Sequence, residues 1–257
     1  MSVNNLNSTP TSILGFGILR RSTSCIHAVV PLQGGGDAHA FQDIKFTDSY
    51  GSEEKKEWIG SASVVLRGFA LEYETELHNA LKRVVVHASF RHMETPGGYP
   101  MSVAMTNCGS YGWIADRSGY RYDAKDPLTG KHWPEMPESF LQLAKDAAAA
   151  AGFKNFVSDV CLVNQYEPGA KLSLHQDKDE LDFNQPIVSV SLGVPAIFLF
   201  GGLMRKDKST RIPLVHGDVV VWGGVDRLRY HGVLPLKEAR HPFAGNHRIN
   251  LTFRKAV

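Results

Sequence analysis

Cysteine is scarce in this chain. Cys25, Cys108 and Cys161 are the only three in 257 residues, too few and too scattered for a disulfide framework or a zinc ribbon, which points to a reducing, cytoplasmic compartment. No apolar run approaches the roughly 18 residues that a membrane helix needs, so no membrane partner is expected. An excess of one charge is lacking too. The formal net charge is +2, too small to hold a nucleic acid through the average field, so any basic surface has to be local. Acidic residues are missing from residues 1–36, which carry Arg20, Arg21 and much Ser, Thr, Asn and Gly. That bias reads as a disordered tail over 1–56, with a transit segment as the alternative, and no function is assigned to it. Repeats are absent, and one core suffices at this length: a single domain over 57–257, expected to be monomeric.

What is present begins with a change of character at about Glu57. "WIGSASVVLRGF" reads as a strand entering the domain, and "LEYETELHNALKRVVVHASF" places Leu71, Leu77, Leu81, Val84 and Val85 close to helical spacing. Residues 91–137 mix glycine, aromatics and turn signals in "TPGGYPM", "GSYGWIADRSGYRY" and "DPLTGKHWPEMP", which predicts a lid of hairpins and loops. "PESFLQLAKDAAAAAG" predicts a helix with Phe140, Leu143, Ala144 and Ala147 on one stripe and Gly152 as its stop. Over about 153–257 short strands follow one another: "SDVCLVNQY", "AKLSLHQD", "PIVSVSLG", "PAIFLFGG", "TRIPLVHGDVVVWGG", "YHGVLPL" and "HRINLTFRKAV". Gly, Pro and Asp signals at this density predict a sandwich or barrel, not βαβ units. The expected class is mainly β (α+β), with a jelly-roll (double-stranded β-helix) core, flanking N-terminal helices and the lid.

Three features carry chemistry. In "KLSLHQDKDE" the strand period of two aims His175 and Asp177 at one spot, where they could share a metal; salt bridges, a turn or a solvated acidic patch would produce the same letters. In "HRINLTFR", Arg248, Asn250, Thr252 and Arg254 alternate with Ile249, Leu251 and Phe253. That is either an amphipathic edge strand with its polar face in water or a strand whose polar face looks into a barrel. In the second case two inward guanidiniums would need a bound dianion, since an unpartnered buried charge costs about 3–5 kcal/mol. "WGGVDRLRYHGV" adds His231 just past a strand, alone a turn residue, but with His175 and Asp177 it completes the ligand content of a 2-His-1-carboxylate triad for Fe(II), which leaves open positions for co-substrate and O2.

Across roughly Arg67 to Ala256 the sequence resembles the AlkB family of Fe(II)- and 2-oxoglutarate-dependent nucleic-acid dealkylases, its bacterial members most closely. The resemblance rests on "TPGGYPMSVAMTNCG", "PGAKLSLHQDKDE", "PIVSVSLG", "HGDVVVWGG", "RLRYHG" and the RxNxTFR pattern of "RINLTFR". Ile249 departs from the pattern, where an aromatic is common. The resemblance implies that His175, Asp177 and His231 bind Fe(II), and that Arg248, Arg254, Asn164, Tyr166 and Asn250 hold 2-oxoglutarate. It further implies a nucleotide-recognition lid in which Trp113 stacks on a flipped-out base with His175 on its other side. Tyr120 and Met105 would shape the mouth, and Asp179 and Arg205 would contact the substrate. Physics agrees with parts of this, because a base must leave the stack to be oxidised and aromatic stacking then grips it. Ring-alkylated bases are cations, which suits the acidic pair Asp179 and Glu180, while Arg91, Arg117 and Arg121 are candidates to meet phosphates.

The activity so implied is oxidative demethylation of 1-methyladenine and 3-methylcytosine type lesions in single- or double-stranded DNA, with RNA as a second candidate. Hydroxylation of the alkyl group would release formaldehyde, succinate and CO2. Two rivals stay open: a 2-oxoglutarate dioxygenase directed at RNA, protein or a small molecule, and a noncatalytic jelly-roll reader of modified nucleic acid.

Overall fold

The computed structural model describes residues 56–257. The expected disordered tail lies outside the described residues, except that its last member, Lys56, opens the first strand. Two antiparallel sheets and two helices make up the frame. The wide sheet has eight strands in the order β1-β2-β12-β9-β14-β7-β4-β3. They are β1 (Lys56–Gly60), β2 (Ser63–Leu66), β3 (Arg91–Glu94), β4 (Pro100–Gly109), β7 (Val160–Tyr166), β9 (Ile187–Gly193), β12 (Val219–Trp222) and β14 (Arg248–Arg254). The narrow sheet runs β11 (Thr210–Leu214), β10 (Ala196–Phe200), β13 (His231–Val233), β8 (Leu172–His175). A separate hairpin joins β5 (Gly112–Asp116) to β6 (Gly119–Asp123). The segment 91–137 is thus divided, with β3 and β4 belonging to the wide sheet and β5 and β6 standing apart.

Two apolar layers explain why these strands form. On one face of the wide sheet Val188, Val190, Leu251, Phe253 and Val221 pack with Leu77, Leu81, Phe140 and Leu143 of the helices α1 (Glu74–His87) and α2 (Glu138–Ala150). On the other, Val65, Ile187, Val220 and Trp222 meet Phe198, Phe200, Ile212 and Val233 of the narrow sheet. Sheet on sheet with helices on one outer face is the jelly-roll arrangement expected from the strand density. The alternation in β14 is the clearest case, because Ile249, Leu251 and Phe253 lie in the helix-side layer while all seven residues of the strand are buried. The polar face therefore looks between the sheets, and the exposed edge strand is excluded.

Helix α2 carries Phe140, Leu143, Ala144 and Ala147 inward, and Gly152 at φ +93° follows it, as its stripe predicts. Helix α1 differs from expectation at its start. Its buried stripe is Leu77, Ala80, Leu81 and Val84, whereas Leu71 sits in a 3-10 turn before it and is 49% exposed, and Val85 is half-buried. "WIGSASVVLRGF" is two strands, because the chain reverses between Gly60 and Ser63. "TRIPLVHGDVVVWGG" likewise divides between the two sheets. Gly217 takes φ +88° at the reversal, and the buried Asp218 carboxylate accepts from the N–H groups of Val215 and Gly68, each at 2.9 Å, and from Arg67 at 2.7 Å.

The ring of Phe140 stands edge-on to Phe253, 5.9 Å between centroids, and joins helix to sheet. Phe140→Ala is expected to lower unfolding free energy by about 3–5 kcal/mol in urea titration. A second expectation concerns acid. His216 in the β11–β12 reversal accepts at Nδ1 from the Gly193 N–H at 2.9 Å, and burial together with the neighbouring His241 lowers its pKa from 6.5 to about 4. Between these values the unfolded chain binds more protons than the folded one, so this contribution to stability is lost as pH falls from about 6.5 to 4. His216→Gln, which can still accept that N–H, should flatten the stability profile over that window, read by denaturant titration at each pH.

Candidate active site

Between the sheets lies a cavity of about 630 Å3. Strand β8 ends at His175, and β13 begins at His231 directly across from it in the register. The two imidazoles are 4.4 Å apart between centroids. Each presents the same tautomer, because His175 Nδ1 lies 2.8 Å from the Ser173 carbonyl and His231 Nδ1 lies 3.0 Å from the Arg229 carbonyl. A carbonyl only accepts, so each Nδ1 carries a proton, and Nε2 is the ring atom that can offer a lone pair to a metal. Both Nε2 atoms face Asp177, at 3.7 Å from Oδ1 and 3.6 Å from Oδ2. One donor atom from each of the three side chains falls within 4.8 Å of the others. Two imidazole nitrogens and a carboxylate on one side of a point make the facial set that non-haem Fe(II) takes.

The protonation states suit a cation. Burial in the cavity wall, together with the neighbouring imidazole of His231, lowers the His175 pKa to about 4. Burial alone would raise the Asp177 carboxyl, but the Arg254 guanidinium, with His231 and His175 behind it, holds it well below the usual carboxylate range. Arg254 donates to Asp177 Oδ2 from Nη2 at 2.9 Å and from Nε at 3.2 Å.

The floor of the cavity is the polar face of the wide sheet, set by register. Met105, Asn164, Asn250 and Ser191 lie in one row across β4, β7, β14 and β9, and the next row holds Tyr166 beside Arg248. The Arg248 side chain is almost wholly buried over the Tyr166 ring, 4.9 Å from its centroid, and Nη2 donates to Ser191 Oγ at 2.9 Å. Among the described residues its Nε and Nη1, Nη1 of Arg254 and Oδ1 of Asn164 have no hydrogen-bond partner. Burial pushes the Arg248 pKa down, and no acidic side chain among the described residues pairs with it. This cluster fits an anion with more than one carboxylate oxygen, the chemistry of 2-oxoglutarate.

The requirement for a dianion, inferred from two inward arginines, holds for one of them only. Arg254 is already balanced by Asp177 and by Glu180, 3.3 Å from its Nε. Glu180 itself corrects a second expectation, since it neither faces a substrate cation nor lies in a solvated turn. It is 5% exposed, 3.0 Å from Arg227 Nη2, and it accepts the Tyr122 hydroxyl at 2.6 Å. Asp179 stays at the cavity and accepts from Trp113 Nε1 at 3.0 Å. Trp113 stacks with Tyr120 at 5.6 Å and 14°. Both line the cavity with Met105, His175 and Arg205, Met105 as inner wall at 1% exposure and Tyr120 at the rim at 48%. Three arginines of the segment 91–137 are in ion pairs instead of standing free: Arg91 with Asp126, Arg117 with Glu94 and Arg121 with Asp116.

Sequence reasoning missed Arg227. It is 3% exposed and donates to the Asp177 carbonyl at 2.7 Å and the Gln185 carbonyl at 3.0 Å, so it ties the segment bearing Asp177 to the loop leading into His231. Nothing periodic in "DRLRYHG" marks it. Ser189 and Ser191 were missed too, although their alternation with Val188 and Val190 carries the signal.

The 2OG-Fe(II) oxygenase superfamily model matches residues 63–254. The chain is 57% identical over 202 residues to the alpha-ketoglutarate-dependent dioxygenase AlkB of Salmonella typhimurium, covering 79% of this chain and 94% of that one. It is 56% identical over 205 residues to AlkB of Escherichia coli, covering 80% and 95%. The solved structure of OsALKBH1 superposes with a TM-score of 0.67 at 30% identity, covering 78% of this chain and 99% of that one.

The two neighbouring acids separate by role. Glu180→Ala leaves two buried arginines short of a partner and should cost about 3–5 kcal/mol in urea unfolding, whereas exposed Asp179→Ala should change stability by under about 0.5 kcal/mol.

Proposed function

This chain belongs to the 2OG-Fe(II) oxygenase superfamily and, within it, to the AlkB dioxygenases, and from that premise we propose that it removes alkyl groups from ring nitrogens of bases in DNA. The chemistry class is oxidative dealkylation of a nucleic-acid base. Fe(II) with 2-oxoglutarate and O2 supplies the oxidising power to hydroxylate an N-methyl group, after which succinate, CO2 and formaldehyde leave. The chain's own residues do the placing. His175, Asp177 and His231 offer Nε2, carboxylate and Nε2 to one point. Arg248 would hold a carboxylate of 2-oxoglutarate, because among the described residues its buried charge has no acid to meet. Asn164 and the free Nη1 of Arg254 face the same cavity, where Tyr166 and Asn250 complete the wall.

The observation that carries the reading is one cavity in which a facial triad, an unbalanced guanidinium and a tryptophan face lie together. Trp113 and Tyr120 present aromatic surface for a base, and a stacked base gains roughly 1–3 kcal/mol per aromatic contact. Asp179, close by, favours a base whose ring carries positive charge, as 1-methyladenine and 3-methylcytosine do. Arg205 stands at the mouth for phosphate. A reducing, cytoplasmic setting accords with the cysteine usage. No helix among the described residues is long and apolar enough to cross a membrane.

Incubation with methylated DNA and RNA oligonucleotides, Fe(II), ascorbate and 2-oxoglutarate should yield formaldehyde and succinate in equal amounts by mass spectrometry, with DNA the better substrate. No substrate-dependent formaldehyde would overturn the reading, and RNA turnover above that of DNA would move it to RNA. Asp177→Ala should abolish turnover. Arg248→Leu should raise KM for 2-oxoglutarate by about two orders of magnitude while leaving the unfolding midpoint equal or higher, since an apolar side chain replaces a buried charge.

A further inference from the structure

Asp177 lies past the end of β8, so the ladder that sets His175 opposite His231 does not reach it. That ladder is itself irregular, with a register shift between His231 and Val233. The carboxylate ligand is placed by side chains instead. Two buried arginines grip its two ends: Arg254 Nη2 donates to the carboxylate at 2.9 Å, and Arg227 Nη1 donates to the main-chain carbonyl at 2.7 Å. Arg227 Nε also donates to the Gln185 carbonyl at 3.0 Å, and its guanidinium lies over the Phe183 ring, 5.5 Å from the centroid. One planar fork thus closes the excursion of the chain from 177 to 185.

The fork starts from a fixed base. Arg227 follows the 3-10 turn Gly224–Asp226, whose buried Asp226 carboxylate accepts the Ala62 N–H at 2.7 Å and the Ser63 hydroxyl at 2.8 Å. A second tie crosses in the opposite sense, since Gln176 Nε2 donates to the Leu228 carbonyl at 2.6 Å. The segment that bears Asp177 and the segment that leads into His231 are stitched together at two consecutive positions. Charge balance gives a weaker account of Arg227. Glu180, the acid it meets at 3.0 Å, is also held by Arg254 and by the Tyr122 hydroxyl, and a buried ion pair adds little net stability. The two carbonyl contacts are what the fork alone supplies.

We propose that Arg227 is a positioning residue for the metal centre. By holding the Asp177 peptide against the turn that precedes His231, it sets where the carboxylate stands relative to the two imidazoles, and so sets the affinity for a divalent cation. This rests on the 2-His-1-carboxylate reading of the site and assigns a role to a residue outside the triad. The test is titration of the metal-free full chain with Co(II), followed by its d–d absorption, in the parent, Arg227→Met and Arg227→Lys. Methionine fills the space and donates nothing, while lysine keeps the charge toward Glu180 but lacks the fork that spans both carbonyls. The Co(II) dissociation constant is expected to rise at least about tenfold in Arg227→Met and by less in Arg227→Lys, with shifted absorption bands in both. In turnover assays the Fe(II) concentration for half-maximal rate should rise in parallel, with KM for the methylated oligonucleotide unchanged. Phe140→Ala, which weakens the fold away from the cavity, separates position from stability and should leave Co(II) affinity per folded molecule at the parent value. Arg227 variants that lose stability yet bind Co(II) like the parent, with the same bands, overturn the proposal, as does an equal loss of affinity in Phe140→Ala or a parent that takes up no Co(II). If Arg227→Met does not fold, Arg227→Lys carries the same comparison. A parent that binds Co(II) but releases no formaldehyde removes the dealkylase reading, and the titration still decides the role of Arg227.

Discussion

A buried carboxylate held between opposing charges is the constraint on which the site depends. Asp177 cannot serve as a metal ligand unless it stays ionised in a place where burial favours its neutral form, and Arg254 supplies the charge that reverses that preference. Arg254 in turn would be costly there without Glu180, and Glu180 also meets Arg227, which returns to the main-chain carbonyl of Asp177. The four side chains make a closed ring of alternating charge around one peptide. Buried pairs of this kind add little net stability relative to apolar packing, so their use is in fixing where the charges stand.

The same ring reaches the aromatic hairpin. Tyr122 on β6 donates to Glu180, and Trp113, its register partner on β5, donates to the adjacent Asp179. The hairpin that presents the stacking surface is thereby fastened at two consecutive residues to the segment that carries Asp177. Recognition and oxidation share a support, and the aromatic wall is placed by the same acids that set the charge balance near the metal position.

Much of this was legible in the sequence, for reasons that differ from residue to residue. The period of two in "RINLTFR" separated the helix-side face from the cavity face of β14 correctly, because a strand buried on both sides leaves no other way to sort apolar and polar side chains. The His175, Asp177 and His231 set was legible as ligand chemistry, though only the β8–β13 register shows that the two histidines stand opposite each other. Glu180 was misread because a carboxylate next to Asp179 gives no sign of which way it turns; that is decided by Arg227 and Arg254, far along the chain. Leu71 was misplaced for a local reason, since helical spacing continues backward across a 3-10 turn that spacing alone cannot see.

The row formed by Met105, Asn164, Asn250 and Ser191 runs across four neighbouring strands whose other faces line the helix-packed core. Slipping any one of these strands by a single residue would swap its two faces, sending amides under the helices and valines into the cavity. Alignment of the floor and burial of the core are one event. A population with poor turnover because of weak folding therefore consists of intact molecules diluted by inert ones, and specific activity per folded molecule stays constant while the folded fraction falls.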